Sequence, residues 1–310
     1  MIAISVIICT HNPRKDYLDR VLDSLRVQTL PQHQWELLLI DNASAEPILN
    51  RWDLSWHPAA RHIREDELGL ASARLRGIAE AGGGLLVFVD DDNVLAPNFL
   101  AEAQRIGHEW PMLAVWGGSV IPEYETEPPS HLREYLRGIA YVDVKSPRWS
   151  NVTGAPGVWV NGGGMCLRAD VAAAYRQLYD NSDIRLTGRS GHHLISGEDR
   201  EICNVACGLG YGVGLFPELQ LTHLIPRWRI GEQYLVRLIE GIETSLMLLE
   251  FKWNGILPRA PYSGVELLRL LKHVSIRRGV DRRMYMARRR AMRRARAMIR
   301  EVLQLGIGSS

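Results

Sequence analysis

Three consecutive aspartates, Asp90, Asp91 and Asp92, close the apolar run that begins at Leu85 in "LLVFVDDDNVLAP". Adjacent carboxylates repel one another unless something positive sits among them. Alternation along a strand points Asp90 and Asp92 the same way, so the two are expected to share one cation. Hard divalent ions such as Mg2+ or Mn2+ suit that arrangement and keep coordination positions for phosphate oxygens. The competing reading is a solvated acidic turn that opens the next helix, where acids favour the helix dipole. A second acidic group, Glu198, Asp199 and Glu201 in "SGEDRE", fits a helix cap or a general base set apart from a metal–diphosphate site. His223, in "LQLTHLIPRWR", is either a strand-end histidine or a further metal ligand, the latter only if Asp92 lies nearby. Arg227 and Arg229 follow it and suit a phosphate.

The elements around these residues alternate. "AISVIIC", "WELLLID", "ARHIRED" and "LLVFVD" read as strands, with the third the weakest. Between them, Tyr17, Leu18, Val21, Leu22 and Leu25 recur at helical spacing, and "LGLASARLRGIAEA" is a helix closed by Gly82 to Gly84. Repeated β-α-β units predict an α/β fold with a mostly parallel sheet flanked by helices. Ligands in such sheets bind at the carboxyl ends of the strands. That edge would gather Thr10 to Asn12, Asp41 to Ser44 and Asp90 to Asn93. The middle of the chain reads as a strand at "MLAVWGGSVIP", a polar loop through "EYETEPPSH", and a strand and helix start after "VNGGGMCLRADV". Then come a loop, a helix from about Glu198, and two strand segments. After Ile230 the chain reads as helical.

The 310 residues, 46% hydrophobic and 23% charged, suffice for a sizeable core without staples. Cys9, Cys166, Cys203 and Cys207 form no C-x-x-C pair. The ordinary reading of Cys9 and Cys166 is a small buried hydrophobe, and Cys203 and Cys207, four apart on a helix, are conceivable as a metal pair. "MIAISVIICT" reads as a first strand rather than a signal peptide, and no apolar run approaches a membrane span. The expected location is the cytoplasm.

The order of these motifs resembles the inverting family-2 glycosyltransferases of GT-A fold. "SVIICTHNPRKDYLDRVLDSLRVQTL", "WELLLIDNAS", "ELGLASARLRGI" and "LLVFVDDDN" look like that family's nucleotide-binding half, and "GGGMCLRADV", "SGED" and "HLIPRWR" like its acceptor half. The resemblance implies a GT-A domain over residues 1–230, with a nucleotide-sugar half to 120 and an acceptor half from 121, followed by a helical extension over 231–310. It implies that Thr10, His11, Asn12 and Asp41 line the nucleotide base and that Arg74 reaches the base or phosphates. Asp90 would hold the ribose, with Asp91 among the donor-binding residues, and Asp92 would ligate a divalent metal (Mg2+ or Mn2+) that His223 approaches. Asp199 would be the catalytic base, shaped by Glu198, and Arg227 would sit near the leaving diphosphate. The implied partners are a UDP- or dTDP-type sugar donor and a saccharide or lipid-linked acceptor, in assembly of a bacterial surface polysaccharide or glycolipid. His11 stands where the family usually has tyrosine, and Leu68 and Leu75 where asparagines are common. A nucleotidyltransferase would need a glycine-rich, lysine-bearing loop after the first strand, which "CTHNPRKD" does not supply. A catalytically silent nucleotide-sugar-binding protein would tend to lack Asp92 or Asp199.

The net charge of +2 hides an uneven distribution. Arg277 to Arg300 hold 11 arginines and one acid, Asp281, which leaves 26 basic and 34 acidic residues elsewhere. Met284, Ala287, Ala291, Ala295, Met298 and Val302 fall on one face of this basic helix. Two readings stand: docking on anionic lipid at the inner face of the cell membrane, or packing of the apolar stripe on the acidic body. Nothing else in the chain suggests a reader of nucleic-acid grooves, so nucleic acid is not the expected partner.

Overall fold

The computed structural model describes residues 2–186, 194–260 and 264–307. The loop reading for 187–193 lies outside the described residues. Two compact units divide the chain: Met1–Asp180 with Glu198–Pro226, and Asn181–Gly197 with Arg227–Ser310.

The first unit is built on the expected strands. β1 (Ile4–Thr10) and β2 (Trp35–Asn42) are buried along their whole length, which is why their sequences are continuous apolar runs rather than alternating ones. β3 (Ala60–Glu65) is the edge strand and buries only Ile63, the cause of its weaker signal. With β4 (Leu85–Asp90) these strands form the parallel array β3-β2-β1-β4. Its helices are α1 (Lys15–Arg26), which buries Tyr17, Leu18, Val21, Leu22 and Leu25, and α2 (Leu70–Glu80). A short strand, β5 (Asn93–Leu95), and α3 (Phe99–Glu109) follow.

The sheet continues as a mixed one. β6 (Leu113–Tyr124) precedes α4 (Arg133–Ala140) and β7 (Arg148–Ser150), both of which lie beyond the stretch read as a polar loop. β8 (Met165–Arg168) pairs antiparallel with both β4 and β6, and leads into α5 (Ala169–Asp180). α6 (Glu198–Gly208) opens with the acidic group and runs into β9 (Gly212–Ile225). β9 pairs parallel with β6 and antiparallel with β5 and β7.

β9 is one 14-residue strand where the sequence suggested two. Its register against β6 jumps from Gly118↔Phe216 to Ser119↔Gln220, so Pro217 to Leu219 bulge out of the ladder. Proline has no N–H to give the ladder, and the bulge is where it does no harm. Gly118 lies opposite: a Cβ there would collide with the Leu219 carbonyl oxygen and come within 2.6 Å of that of Phe216.

The second unit is helical: α7 (Glu232–Asn254), α8 (Gly264–Ile276) and α9 (Gly279–Ile307). Met284, Ala287, Ala291, Ala295 and Ile299 of α9 are buried and pack on α7, the alanines allowing close approach. Arg283 pairs with Glu232, Arg290 with Glu240 at 2.6 Å, and Arg288 with Glu243 at 3.0 Å. The Arg283–Glu232 pair lies near the start of both helices and the other two pairs lie further along both, so α7 and α9 run in the same direction. The apolar stripe of the basic helix is therefore covered by α7, with α7's own glutamates beside its arginines. Among the described residues no helix is long and apolar enough to cross a membrane.

Gly118→Ala is expected to lower the unfolding free energy by about 1–3 kcal/mol through overpacking at the bulge. Urea denaturation measures it, and an unchanged midpoint would mean that β6 and β9 part at no cost.

Candidate active site

The carboxyl ends of β1 and β2 form the first wall. Thr10 is buried at the end of β1, opposite Asp41 in the parallel register, and its hydroxyl donates to Asp91. The chain then turns through Asn12, whose φ of +49° is a left-handed value that asparagine tolerates better than most residues. Two bonds to the β2 turn hold it: Asn12 N–H donates to Ser44 Oγ at 2.9 Å, and Asn12 Oδ1 accepts from Ala45 N–H at 2.9 Å. His11 Nδ1 lies 2.7 Å from the Asn42 carbonyl oxygen. A carbonyl only accepts, so Nδ1 carries the proton and Nε2 is left to accept from Asn12 Nδ2 at 2.8 Å. The imidazole is thus oriented, and exposed on its other side.

Asp41 is buried and accepts from Ser44 N–H at 3.1 Å, Ile48 N–H at 3.3 Å and Arg64 Nη1 at 2.8 Å. Burial pushes its carboxyl up, but the hydrogen bonds from Ser44, Arg64 and Ile48 outweigh that and hold it below the usual carboxylate range. Arg64 is a site residue that sequence reading passed over. Its signal was its register: it stands opposite Asp41 in the β2–β3 ladder.

The aspartate triplet is divided among three partners. β4 ends at Asp90, and Asp91 and Asp92 form a turn, so strand alternation does not carry on to Asp92. This corrects the expectation of two parallel carboxylates on one cation. Asp91 takes the Thr10 hydroxyl. Asp90 faces Arg74, whose Nη2 lies 3.3 Å from Asp90 Oδ1 while its Nη1 lies 3.1 Å from Glu198 Oε1. Arg74 and Glu198 side chains are each only 4% exposed. The positive group that the triplet demanded is this guanidinium. Burial alone would lower the Arg74 pKa, but the charges of Glu198 and Asp90 raise it well above its ordinary value. The glycines before β8 leave room for the bridge: a Cβ on Gly162 would lie 2.7 Å from Arg74 Cζ, and one on Gly163 would lie 3.0 Å from Asp90 Oδ2. Arg74 was expected to reach the base or phosphates; the structure turns it instead onto two acids of the site.

Asp92 meets His223. The β5–β9 ladder sets Asn93 opposite His223, and Leu224 N–H donates to the Asp92 carbonyl at 2.8 Å. These bonds bring Asp92 Oδ2 to 3.5 Å from His223 Nε2, while Asn93 Nδ2 donates to Asp92 Oδ1 at 2.9 Å. A carboxylate and an imidazole are two ligands that Mn2+ or Mg2+ accepts, with the remainder from phosphate and water. Among the described residues no group of three or more His, Cys, Asp or Glu converges on one point. The donor set thus fits an ion shared with a diphosphate, not one caged by protein alone.

Asp199 stands in the first turn of α6 beside buried Glu198, partly exposed, its Oδ1 accepting from Arg200 N–H at 2.8 Å. Three acids in that turn also favour the helix dipole. The guanidinium of Arg200 lies 4.6 Å over the exposed ring of Trp159, a neighbour that sequence reading did not single out. Cys203, one turn on, is buried, and burial pushes its thiol up to about 12, while Cys207, four residues further on, is half-buried. Arg227 is exposed at the start of a 3-10 turn after β9 and belongs to the second unit.

A parallel sheet with polar strand ends, continued by a mixed sheet that presents an acid-led helix, is the GT-A arrangement of glycosyltransferases. Residues 5–161, just over half of the chain, match the family described as Glycosyl transferase family 2, and the chain belongs to that family. Glycosyltransferase AglE of Haloferax volcanii is 28% identical over 92 residues, 29% of this chain and 30% of AglE. EpsH of Bacillus subtilis is 20% identical over 163 residues, 48% of this chain and 46% of EpsH. The crystal structure of S. aureus TarS superposes with a TM-score of 0.53 at 13% identity, covering 94% of this chain and 55% of TarS. That likeness speaks to the fold. The chain spans 30%, 46% and 55% of the lengths of AglE, EpsH and TarS.

Two outcomes test the site's electrostatics. Arg74→Met should destabilise the fold by about 3–5 kcal/mol, because it strands a buried carboxylate. Adding Glu198→Gln should recover part of that loss in chemical denaturation; no recovery would assign the loss to packing. The folded pKa of Asp41 lies below its unfolded value of about 3.9, so its stabilisation is complete above that pH and disappears as pH falls through the folded value. The stability gap between the natural chain and Asp41→Asn should be widest at neutral pH and close toward acid; a gap constant with pH would rule the ionised form out as its source.

Proposed function

We propose that this chain is an inverting glycosyltransferase that moves a sugar from a UDP- or dTDP-type nucleotide sugar to an acceptor hydroxyl. The observation that carries the reading is the buried Arg74 bridge. It ties Asp90, on the donor edge of the sheet, to the first turn of α6, where Asp199 stands. A base must keep a fixed distance from the donor, and a buried two-acid clamp provides that.

In the proposed step the Asp199 carboxylate takes the proton of the acceptor hydroxyl. The oxygen forms its bond to the anomeric carbon as the bond to the diphosphate breaks, and the electron pair leaves with the diphosphate. One displacement inverts the centre, so an α-linked donor yields a β-linked product. Thr10, His11, Asn12 and Asp41 line the nucleotide base, with Asp90 and Asp91 toward the ribose. Asp92 and His223 would hold the divalent ion, which when bound supplies charge neutralisation to the diphosphate. Arg227 adds positive charge on the leaving group, a role that rests on family resemblance alone. A nucleoside diphosphate is already a good leaving group, so no protein acid has to protonate it.

The exposed ring of Trp159, under the guanidinium of Arg200, suits the face of an acceptor sugar. The acceptor class is a saccharide or a lipid-linked saccharide, in assembly of a surface polysaccharide or glycolipid. That places the enzyme in the cytoplasm, at the inner face of the membrane where the acceptor is lipid-borne.

Asp199→Asn is expected to reduce kcat by about 10²–10⁴-fold while nucleotide binding persists, as loss of a general base does. Calorimetric titration with UDP, GDP and dTDP, each with Mn2+ and with EDTA, should show metal-dependent binding of one nucleotide that Asp92→Ala removes. Full turnover by Asp199→Asn, or binding indifferent to metal and to Asp92, would overturn the assignment. Trp159→Ala should raise the acceptor KM by about three- to tenfold, the size of one aromatic contact, with kcat less affected.

A further inference from the structure

The apolar stripe of α9 is mostly buried on α7, yet the second unit still exposes large apolar residues: Leu267, Leu268, Leu271 and Ile276 on α8, with Trp228, Ile256, Leu257 and Leu303 elsewhere. Leu267, Leu268 and Leu271 are 45%, 70% and 61% exposed in the whole chain, and Ile276 is 67% exposed. At helical spacing the three leucines fill a sector of about 100° on one side of α8. Arg269 and Lys272 are exposed alongside that sector. The other side of the helix is half-buried against α9, where the His273 ring lies 4.9 Å from that of Tyr285 and the Arg277 guanidinium 5.4 Å over it. The half-buried side of α8 carries Leu270, His273 and Val274, and the helix turns Leu267, Leu268 and Leu271 to solvent. Ile256 and Leu257, in the segment that enters α8, are also more than half exposed.

Charge selects the occupant. Residues 227–310 contain 18 basic and 7 acidic residues, a net charge of +11. A second copy meeting this face with its own like face would bring the same positive charge to the contact. Nucleic acid would answer the charge and leave the leucines wet. An anionic lipid surface answers both, since aliphatic side chains enter the acyl boundary while arginine and lysine reach the phosphates. We propose that α8 is a membrane-contacting element that lies flat on an anionic bilayer through Leu267, Leu268 and Leu271, with the arginines of α9 supplying the longer-range attraction. The inference rests on the geometry of α8 and the charge around it, and it stands apart from the transfer reaction proposed above.

The test is co-sedimentation of the full chain with vesicles of phosphatidylcholine alone and of phosphatidylcholine mixed with phosphatidylglycerol. The natural chain should bind the mixed vesicles about tenfold or more tightly than the neutral ones, and less so as salt rises. The double variant Leu268→Asp/Leu271→Asp should lose about tenfold or more in binding to the mixed vesicles. Leu268→Ser/Leu271→Ser should also bind more weakly, without the added charge. Both positions are solvent-exposed, so thermal unfolding of these variants should match the natural chain. Undiminished sedimentation of both variants, or equal binding to neutral and anionic vesicles, would overturn the proposal. So would binding to a DNA or RNA duplex that the leucine variants lose in place of vesicle binding. Transfer to a water-soluble acceptor should be unchanged in the leucine variants. Failure of all transfer by the natural chain would remove the enzymatic reading and leave the vesicle result standing.

Discussion

The site depends on one buried guanidinium. Arg74 reaches Asp90 and Glu198 at 3.3 and 3.1 Å in a place where its own side chain is 4% exposed. At the effective dielectric that describes such pairs, the contact with Glu198 is worth on the order of 5 kcal/mol, and that with the partly exposed Asp90 is weaker. Taking the buried charges out of water costs several kcal/mol per ion. The two nearly cancel, so the bridge adds little to stability. Its consequence is geometric: a residue on α2, the end of β4 and the first turn of α6 cannot move independently without stranding a buried charge. Gly162 and Gly163 belong to the same constraint, because any side chain there would occupy the space of Arg74 and Asp90.

Around that bridge the strand ends are set by side-chain-to-backbone hydrogen bonds. Asp41 holds the turn after β2, Asn12 ties the turn after β1 to it, and Asn42 Oδ1 accepts from Gly69 N–H at 2.8 Å, where α2 begins. Loops built this way need no ligand to take shape, so the polar edge is formed before a nucleotide arrives. Asp92 and His223 follow the same logic through backbone pairing of β5 and β9. In the function proposed above, the pair would supply part of a divalent ion's coordination and leave the rest to phosphate.

The C-terminal unit shows why a charge run does not declare its role. The arginines of α9 form one surface with the glutamates of α7, and its apolar stripe is core. The exposed leucines sit on α8, whose residues carry no comparable signal of charge.

The sequence by itself determined the local elements and the chemistry at their ends. Buried strands such as β1 and β2 need continuous apolar runs, helices such as α1 need apolar residues at helical spacing, and both requirements are met within a few neighbouring residues. The acids Asp41, Asp90, Asp92 and Asp199 and the histidine His223 stand out as candidates for the same reason, and the parallel half of the sheet was legible too. What the tertiary structure alone decided is how these residues pair. Arg74 and Glu198 are 124 residues apart in the chain, and no spacing rule links them. The division of the aspartate triplet depends on where β4 stops, the meeting of Asp92 with His223 depends on the register of a three-residue strand, and the fate of the α9 stripe depends on which helix lies beside it. Periodicity records which face of an element is apolar; only the packed chain decides what that face meets.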